Sequence, residues 1–543
     1  MPNRRSQALV LLTALLLVVG VVLSAPDGSA DARPGRRTSA PPPTAQTSGL
    51  DQVLGDQSRP NIVVIMADDM RADELQYMPR TQLLLAEQGV RFVNSFSPHP
   101  QCCPARASFL TGDYTHNHEV WTNRGDYGGF QAFDDTSTMP VALQRVGYDT
   151  SFLGKYLNGY GYMLLDDGTK SETYIPPGWS DWRAAARGVY RYFSAALNIN
   201  GTIRPNVGWY QTRMLGAETE DVVGQLARSP RPFFVWASYV APHVGRPTEK
   251  DDPSPVRRVD GRKRIFRSPA VPVDVRGMFD ESIDEAPGED GETDVSDKPH
   301  FIADMVPADV SEHAAMAEVT RQRAESLEVL DQEVEHTVKA LERSGELDDT
   351  IVVFTADNGF FLGEHRLRAG KLLPYDPSLR VPLLVRGPGI PAGEVREDPV
   401  LMIDFAPTFL ELAGARPDPT MDGSSFLDLD RPDPTEDTGW VRGFLTETGP
   451  RPLESTTEDG VLPPGADPIR FTQGVRTRRY LYVEHATGER ELYDQRRDPE
   501  QLRNIVDRPA GEPVVAKLAA FLDQMRDCAG EECRPPTRPA PRR

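Results

Sequence analysis

The sequence predicts an α/β fold: a large, mixed but mainly parallel sheet sandwiched by helices, followed by a smaller C-terminal α+β domain. Two observations support this prediction. Short apolar runs alternate with segments of helical periodicity, which is the pattern of a parallel sheet with crossover helices. The 543 residues also exceed the usual size of a single hydrophobic core, so a second domain is expected.

Five apolar runs are the predicted strands of the large sheet, at residues 62–66, 150–153, 233–237, 351–355 and 382–385. A long helix is predicted where apolar residues recur at helical spacing from Val319 to Leu341. Gly345 is placed to end that helix, since glycine readily adopts the left-handed conformation of a C-cap.

We expect the large domain to span 59–415 and to close with a helix at 403–414. The smaller domain is expected at 416–535. It contains two candidate strands, "YLYVEH" and "RELYDQ", and a last helix near 514–526.

The two ends of the chain carry segments that belong to neither domain. Residues 1–32 are predicted to be a signal peptide, because Arg4 and Arg5 precede an apolar run that small residues follow. Residues 33–58 have the composition of a disordered spacer, and 536–543 form a tail. The chain is therefore expected to be secreted or extracytoplasmic, with a membrane anchor only if the signal stays uncleaved.

The charge of the chain limits its partners. A net charge of −21 and a pI of about 5.0 argue against nucleic acid, which requires a basic surface. An anionic substrate would have to be bound by a local cationic pocket.

Polar residues follow four of the predicted strands. Asp68-Asp69, Lys155, His243 and Asp357-Asn358 come directly after apolar runs. Because ligands of open α/β sheets bind beyond the carboxyl ends of the strands, these residues are expected to converge on one site.

Three carboxylates and an amide offer only oxygen ligands, which suits Ca²⁺ or Mg²⁺ better than Zn²⁺. A single Asp after a strand more often caps the following helix. The recurrence at Asp68, Asp69, Asp357 and Asn358 favours a metal site, since a divalent cation would relieve the repulsion between the carboxylates.

The four cysteines form two pairs. Cys528 and Cys533 fit a small disulfide loop in an oxidising compartment. Cys102 and Cys103 are adjacent and so are poorly placed to bond each other. Pro104 is expected at the first position of a helix, which puts the pair at a helix N-terminus.

Location alone favours a thiolate at that helix N-terminus, because the terminal amides stabilise an anion and lower a cysteine pKa. The alternative is a buried, inert cysteine pair. Arg106 adds a fixed positive charge, and Lys155, His243 and Lys371 are expected to complete a cationic pocket for a tetrahedral oxyanion.

The segment "CCPARASFLTG" resembles the signature of the formylglycine-dependent sulfatases, C-x-P-[SA]-R followed by Leu-Thr-Gly. "NIVVIMADDM", "GKYLNGYG", "YIPPGW", "TADNG" and "ELYDQRRDPEQLRNIV" also look like family segments in the family's order, so that the resemblance covers about 61–506. "CCPAR", "HNHEV" and "GKYLNGYG" resemble the N-acetylglucosamine-6-sulfatase and heparan-sulfatase branch. The resemblance implies the fold of the alkaline phosphatase superfamily.

The resemblance further implies that a maturation enzyme oxidises Cys102 to Cα-formylglycine, whose hydrate supplies the nucleophilic oxygen and also contacts the metal. It implies a catalytic domain at 59–415 and a sulfuric ester hydrolase acting on sulfated sugars, such as N-acetylglucosamine-6-sulfate, or on aryl sulfates. The site residues carried over are Asp68, Asp69, Cys102, Asp357 and Asn358 for the metal, and Cys102, Arg106, Lys155, His243 and Lys371 for catalysis. His243 or Lys371 would protonate the leaving alcohol.

The chain departs from many arylsulfatases just after Lys155. Those sequences carry a histidine two residues after the corresponding lysine, whereas this chain has Leu157 at that position. His118 and His365 are candidates for a substrate-binding replacement, and the alternative is that both are solvated loop histidines.

Two other functions are compatible with the same residues. One is a phosphodiester or phosphonate ester hydrolase of the same superfamily. The other is a non-catalytic, calcium-dependent glycan-binding protein in which Cys102 stays a thiol.

Overall fold

A computed structural model of the chain describes residues 59–165, 168–257, 261, 263–289, 291–427, 442–449, 471–509 and 511–534. The chain divides into two units, Met1–Gln46 and Thr47–Arg543, and every described residue belongs to the second. The predicted signal peptide, spacer and tail lie outside the described residues. Across the described ranges, no helix combines the length and hydropathy needed to cross a membrane.

The strands form one large sheet, one small sheet and a two-stranded ribbon. They are β1 (Asn61–Asp68), β2 (Val90–Phe96), β3 (Asp149–Gly154), β4 (Asp181–Arg187), β5 (Ala196–Ile199), β6 (Thr202–Pro205), β7 (Phe233–Pro242), β8 (Val256–Arg257), β9 (Lys263–Arg264), β10 (Thr350–Ala356), β11 (Leu383–Arg386), β12 (Glu394–Leu401), β13 (Phe444–Thr448), β14 (Thr472–Arg476), β15 (Tyr480–His485) and β16 (Arg490–Asp494).

The longer helices are α1 (Cys102–Thr111), α2 (Met139–Arg145), α3 (Gln211–Leu226), α4 (Val310–Ser344), α5 (Phe405–Leu412) and α6 (Glu512–Met525). Shorter helical segments lie at Asp73–Tyr77, Pro79–Thr81, Gln82–Ala86, Thr115–His118, Gly129–Ala132, Ser171–Thr173, His300–Ala303, Leu347–Asp349, Glu364–Arg366, Asp376–Leu379, Met402–Asp404 and Gly530–Cys533.

The large sheet has ten strands in the order β12-β2-β11-β10-β1-β7-β3-β4-β5-β6. Its centre is parallel: β1 pairs with β10 and β7, β7 with β3, and β3 with β4. The antiparallel pairs lie towards the two edges, where β11 runs against β10 and β2, and β5 against β4 and β6. The predicted mixed, mainly parallel sheet is confirmed.

The central strands are apolar on both faces because helices cover both. On β1, Ile62, Val64 and Met66 pack into one core with residues of α1, α2 and α5. The alternating residues Val63 and Ile65 pack into a second core with residues of α3 and α4. This two-sided burial explains why the strands are continuous apolar runs without a polar alternation.

The long helix α4 begins with a capping box at Asp309. The Asp309 carboxylate accepts from the backbone of Glu312, whose side chain in turn accepts from the Asp309 amide. Gly345 ends the helix in the left-handed conformation, with φ of 79°, and this confirms the predicted C-terminus.

The C-terminal sheet is antiparallel in the order β13-β14-β15-β16. The candidate strands "YLYVEH" and "RELYDQ" are β15 and β16, and the last predicted helix is α6. Phe444 and Leu522 share a core with Phe96 and Leu401 from the large sheet, so the small sheet packs against the end of the large one.

Candidate active site

The carboxyl ends of β1, β3, β7 and β10 carry the polar residues that the sequence places after strands. These strands are neighbours in the sheet, so their ends meet at one edge. The Asp69 amide donates to Asp357 Oδ1 at 3.0 Å, and Asn358 Nδ2 donates to Asp69 Oδ1 at 2.7 Å. The predicted convergence of these strand ends is therefore observed.

Cys102 lies against this cluster from the first turn of α1. Its Sγ is 3.5 Å from Asp68 Oδ1 and 4.0 Å from Asp69 Oδ1. Lys371 Nζ donates to the same sulfur at 2.9 Å. The side chain is fully buried, and its sulfur is in contact with carboxylate and ammonium groups of the cluster.

Two expectations about this helix terminus were wrong. The helix begins at Cys102, so Pro104 is its third residue; proline fits there because the first four amides of a helix have no helical partner. The thiol is also not poised as a thiolate. Burial raises the pKa of Cys102 well above its usual value, and the nearby Lys155 and Lys371 do not outweigh that effect.

Arg106 fixes the opposite side of the cluster. Its Nε donates to Asp357 Oδ2 at 2.8 Å, while Nη1 donates to the Lys155 carbonyl at 2.7 Å and to Ser238 Oγ at 2.6 Å. The remaining Nη2 is buried without a hydrogen-bond partner among the described residues, 4.0 Å from Asp68 Oδ1. One strong donor is thus left for an oxygen placed between Arg106 and Asp68.

Two lysines and a histidine contact Asp68, the last residue of β1, and Asp69, which follows it. Lys155 Nζ donates to Asp68 Oδ2 at 2.5 Å, Lys371 donates to Asp69, and His243 Nε2 lies 3.6 Å from Asp69 Oδ2. Burial opposes ionisation of both carboxyls, but the ammonium groups of Lys155 and Lys371 lower the pKa of Asp68 and of Asp69 below the usual value. Both aspartates are therefore carboxylates at neutral pH.

The pKa of Asp357 is shifted in the opposite direction. Burial and the negative charge of Asp68 raise its pKa, although Arg106 acts against them. Three buried carboxyls in one cluster thus retain a repulsion that the protein's own cations do not fully cancel.

The cluster fits a hard divalent cation. One ligand atom each from Asp68, Asp69, Cys102 and His243 lies within 4.8 Å of the others. Asn358 Oδ1 is buried and has no hydrogen-bond partner among the residues described. An unpartnered amide oxygen beside aspartate oxygens is what an oxygen-ligated Ca²⁺ or Mg²⁺ site requires.

Comparison with known proteins identifies the family. The family described as Sulfatase matches residues 60–415. The chain belongs to the sulfatase family. It is an enzyme that hydrolyses sulfate esters, on the fold of the alkaline phosphatase superfamily.

Several relatives of this sulfatase cover most of the chain. An N-acetylglucosamine-6-sulfatase from Capra hircus is 31% identical in an alignment 528 positions long, which covers 90% of this chain and 87% of that protein. An arylsulfatase from Volvox carteri is 30% identical in an alignment 519 positions long, which covers 88% of this chain and 76% of that protein. The solved structure of BT4656 in complex with its substrate D-glucosamine-2-N,6-O-disulfate shares the fold with a TM-score of 0.66 and 21% identity, and covers 86% of this chain and 98% of that one.

The two candidate replacement histidines have partners outside the Cys102 cluster of this sulfatase. His118 Nε2 contacts Ser108 Oγ at 3.1 Å, and its Nδ1 accepts from the Val120 amide. His365 Nδ1 contacts Glu292 Oε2 at 3.0 Å, and its ring lines a cavity of about 460 Å³. Burial lowers the pKa of each to about 3. A substrate-binding role for either residue stays a prediction.

Two residues that support the sulfatase site were not singled out from the sequence. Ser238 bridges Arg106 and the Lys155 carbonyl, and it is the only serine or threonine in the apolar run "FFVWASYVA". Arg323, fully buried on α4, donates to the Asp69 carbonyl at 2.6 Å and to both oxygens of Glu74. A charged residue on the apolar face of a helix is the signal that could have found it.

The predicted C-terminal pair is bonded: Cys528 and Cys533 form a disulfide. Cys102 and Cys103 are both free and buried.

Proposed function

We propose that this sulfatase cleaves sulfate monoesters with an oxidised Cys102 as its nucleophile. The observation that carries the proposal is the position of Cys102 Sγ, 3.5 Å from Asp68 and 2.9 Å from the Lys371 ammonium at the sheet edge. A side chain placed between buried carboxylates and cations suits the attack of an oxygen nucleophile on an anionic ester.

Two groups would complete the site. Cα-formylglycine formed from Cys102 would supply a hydrated aldehyde whose oxygen attacks sulfur, and Ca²⁺ would supply Lewis acidity beside it. Asp68, Asp69, Asp357 and Asn358, with the modified Cys102, are the residues that would hold the cation, and Mg²⁺ is compatible with the same ligands.

Each basic residue of the cluster has a stated task in the proposal. Arg106 Nη2, which is unpartnered, orients the nucleophilic oxygen. Lys155 and Lys371 bind sulfate oxygens and neutralise their charge. His243 presents Nε2 to the site because its Nδ1 donates to the Val244 carbonyl at 2.7 Å. His243 or Lys371 gives the proton to the leaving alcohol.

The substrate proposed for this site is a sulfated sugar of the N-acetylglucosamine-6-sulfate type, with aryl sulfates as simpler substrates. The support is the 31% identity to an N-acetylglucosamine-6-sulfatase along 90% of the chain. We further propose that residues 59–415 are the catalytic domain and 416–535 the smaller domain. The enzyme is proposed to be secreted after oxidation by a formylglycine-generating maturation enzyme.

The proposal is tested by turnover of mature protein on nitrophenyl sulfate and bis-nitrophenyl phosphate, followed by a panel of sulfated mono- and oligosaccharides. Faster turnover of the sulfate ester is expected. A faster phosphodiester reaction would instead assign the chain to the phosphodiester and phosphonate ester hydrolases.

The mass of the tryptic peptide 92–106 tests the nucleophile in the same preparation. The aldehyde or its hydrate is expected at Cys102. An unmodified thiol throughout protein made in its native host, together with calcium-dependent glycan binding and no turnover, would favour the non-catalytic function.

A further inference from the structure

Tyr190 packs against His243 and Lys155 of the candidate active site. Its ring is stacked on the His243 imidazole, with ring centroids 4.3 Å apart and planes 20° from parallel. The Lys155 ammonium lies 5.1 Å from the centroid of the same ring. A single aromatic side chain thus borders Lys155, which is proposed to bind sulfate oxygens, and His243, which is proposed as a proton donor.

The hydroxyl of Tyr190 is anchored to the second cysteine of the Cys102-Cys103 pair. Asn158 Nδ2 donates to Tyr190 Oη at 3.1 Å. The Asn158 amide donates to Cys103 Sγ at 3.0 Å, and that sulfur contacts Asn158 Oδ1 at 3.5 Å. A continuous chain of contacts therefore leads from the residue beside Cys102 through Asn158 and Tyr190 to His243.

The backbone around Tyr190 is tied to the same segment as His243. The Tyr190 carbonyl accepts from the Arg246 amide at 2.8 Å, and Tyr192 Oη donates to the His243 carbonyl at 2.7 Å. The backbone of the Tyr190 segment is thereby held to the segment of His243, while the Tyr190 hydroxyl is held by Asn158.

The residue two positions after Lys155 is Leu157, which is 4% exposed and packs in the apolar core shared with α1 and α2. Its side chain is aliphatic and has no polar atom. Tyr190, from the segment after β4, is the aromatic side chain that borders Lys155 instead.

We infer that Tyr190 is a positioning residue for sulfate-ester hydrolysis: its ring holds the His243 imidazole in the plane in which Nε2 faces the ester, and it confines the Lys155 ammonium. The inference rests on the proposed function for the reaction itself. Stacked aromatic rings and cation–π contacts each favour one orientation by a modest free energy, and a misplaced catalytic group slows the chemical step steeply.

The test compares the kcat and KM for nitrophenyl sulfate of the wild type, Tyr190→Phe and Tyr190→Leu. Tyr190→Leu removes the stacked ring, and we expect kcat to fall about 100-fold while KM changes much less. Tyr190→Phe keeps the ring and loses one hydrogen bond, so its kcat should fall less than about 10-fold. Tyr480→Leu, the same change at a half-buried tyrosine of β15, is the matched control and should keep wild-type kinetics.

Three results would overturn the inference. Tyr190→Leu could keep kcat within about 10-fold of the wild type, Tyr190→Phe could lose as much as Tyr190→Leu, or KM could rise alone, which would mean uniform binding of the ester. If Tyr190→Leu does not fold, Tyr190→Met provides the same comparison.

Crystal structures of the wild type and Tyr190→Leu separate this inference from the proposed function. An inactive wild type would refute the proposed function, and the inference would then be judged by the His243 ring alone. A rotated or disordered imidazole in Tyr190→Leu supports it, and an unmoved imidazole overturns it.

Discussion

At the scale of single residues, the two adjacent cysteines are both buried and free, but their sulfur atoms contact different groups. Cys102 Sγ contacts Asp68 and Lys371, whereas Cys103 Sγ contacts only the backbone and amide of Asn158 among the contacts described. Neighbouring residues at the start of a helix point about 100° apart, so one side chain reaches the sheet edge and the other supports the loop after Lys155.

Replacing Cys102 by serine is expected to abolish multiple turnovers and leave folding intact. A hydroxyl fits the space of the thiol, but it lacks the second oxygen that lets the aldehyde reform and release sulfate. Steady-state assays and thermal melting measure the two effects. Cys103→Ser is the matched control: it should fold and retain measurable turnover, and repeated turnover by Cys102→Ser would contradict the mechanism.

Adding Ca²⁺ to the chelated protein is expected to raise its melting temperature. Asp68, Asp69 and Asn358 Oδ1 form a site only in the folded chain, and a ligand at about 100 times its dissociation constant stabilises the fold by about 2.7 kcal/mol. Differential scanning fluorimetry with EGTA, Ca²⁺ or Mg²⁺ measures the shift. In Asn358→Ala the shift should shrink, and an equal shift in both proteins would place the cation elsewhere.

At the scale of elements, the sequence predicted the strands whose residues are apolar on both faces. β1, β3, β7, β10 and β11 were all identified from such runs. β4 was not, because "DWRAAAR" has no β-branched residue and its alanines favour helix. It is a strand because Trp182 and Arg183 pair with Phe152 and Leu153 of β3, a long-range contact that a local pattern does not encode.

The site was more predictable than the sheet. Polar residues of the candidate site follow the apolar strands directly, so the chain positions of Asp68, Lys155, His243 and Asp357 are visible in the sequence. Tyr190 was not, since it lies in an irregular segment and reaches His243 only through the packing of that segment on the strand end.

A buried ion pair joins Arg323 of α4 to Glu74 in the short helical segment Asp73–Tyr77. Arg323→Met is expected to destabilise the protein by about 3–5 kcal/mol, because it leaves the buried Glu74 carboxylate without its cation. It should also lower kcat, since Arg323 donates to the Asp69 carbonyl. Urea unfolding and steady-state kinetics measure both effects.

Arg343→Met makes the same substitution on α4 at an exposed pair with Glu220 and should cost less than about 1 kcal/mol. The double variant Arg323→Met/Glu74→Gln should recover part of the lost stability. Equal destabilisation by Arg323→Met and Arg343→Met would show that the buried Arg323–Glu74 pair contributes no more to the free energy of unfolding than an exposed pair does.

At the scale of the whole molecule, His116 links the large sheet's end to the C-terminal elements. Its Nδ1 contacts Glu447 of β13 at 3.0 Å, and its Nε2 donates to the carbonyl of Cys528 in the disulfide loop at 2.9 Å. Burial disfavours the imidazolium, but the Glu447 carboxylate outweighs it and raises the pKa of His116 to about 9.

The contact between His116 and Glu447 is expected to weaken in alkaline solution, where the imidazole loses its proton. His116 binds its proton in both states below about pH 6.5 and only in the folded state between about 6.5 and 9, so unfolding releases a proton in that window. The free energy of unfolding should therefore fall there, by at most about 1.4 kcal/mol per pH unit. Urea unfolding of the wild type and His116→Gln at several pH values measures it; parallel curves for the two proteins would contradict the assignment.

The complete burial of Cys102 also bears on the timing of the proposed oxidation during biogenesis. A maturation enzyme needs access to the residue it modifies, and Cys102 has no exposed surface once α1 has packed against the sheet edge. We therefore expect conversion to take place on the nascent, still extended polypeptide. A production host that lacks the catalyst would deliver a well-folded molecule that no later treatment with that catalyst can activate.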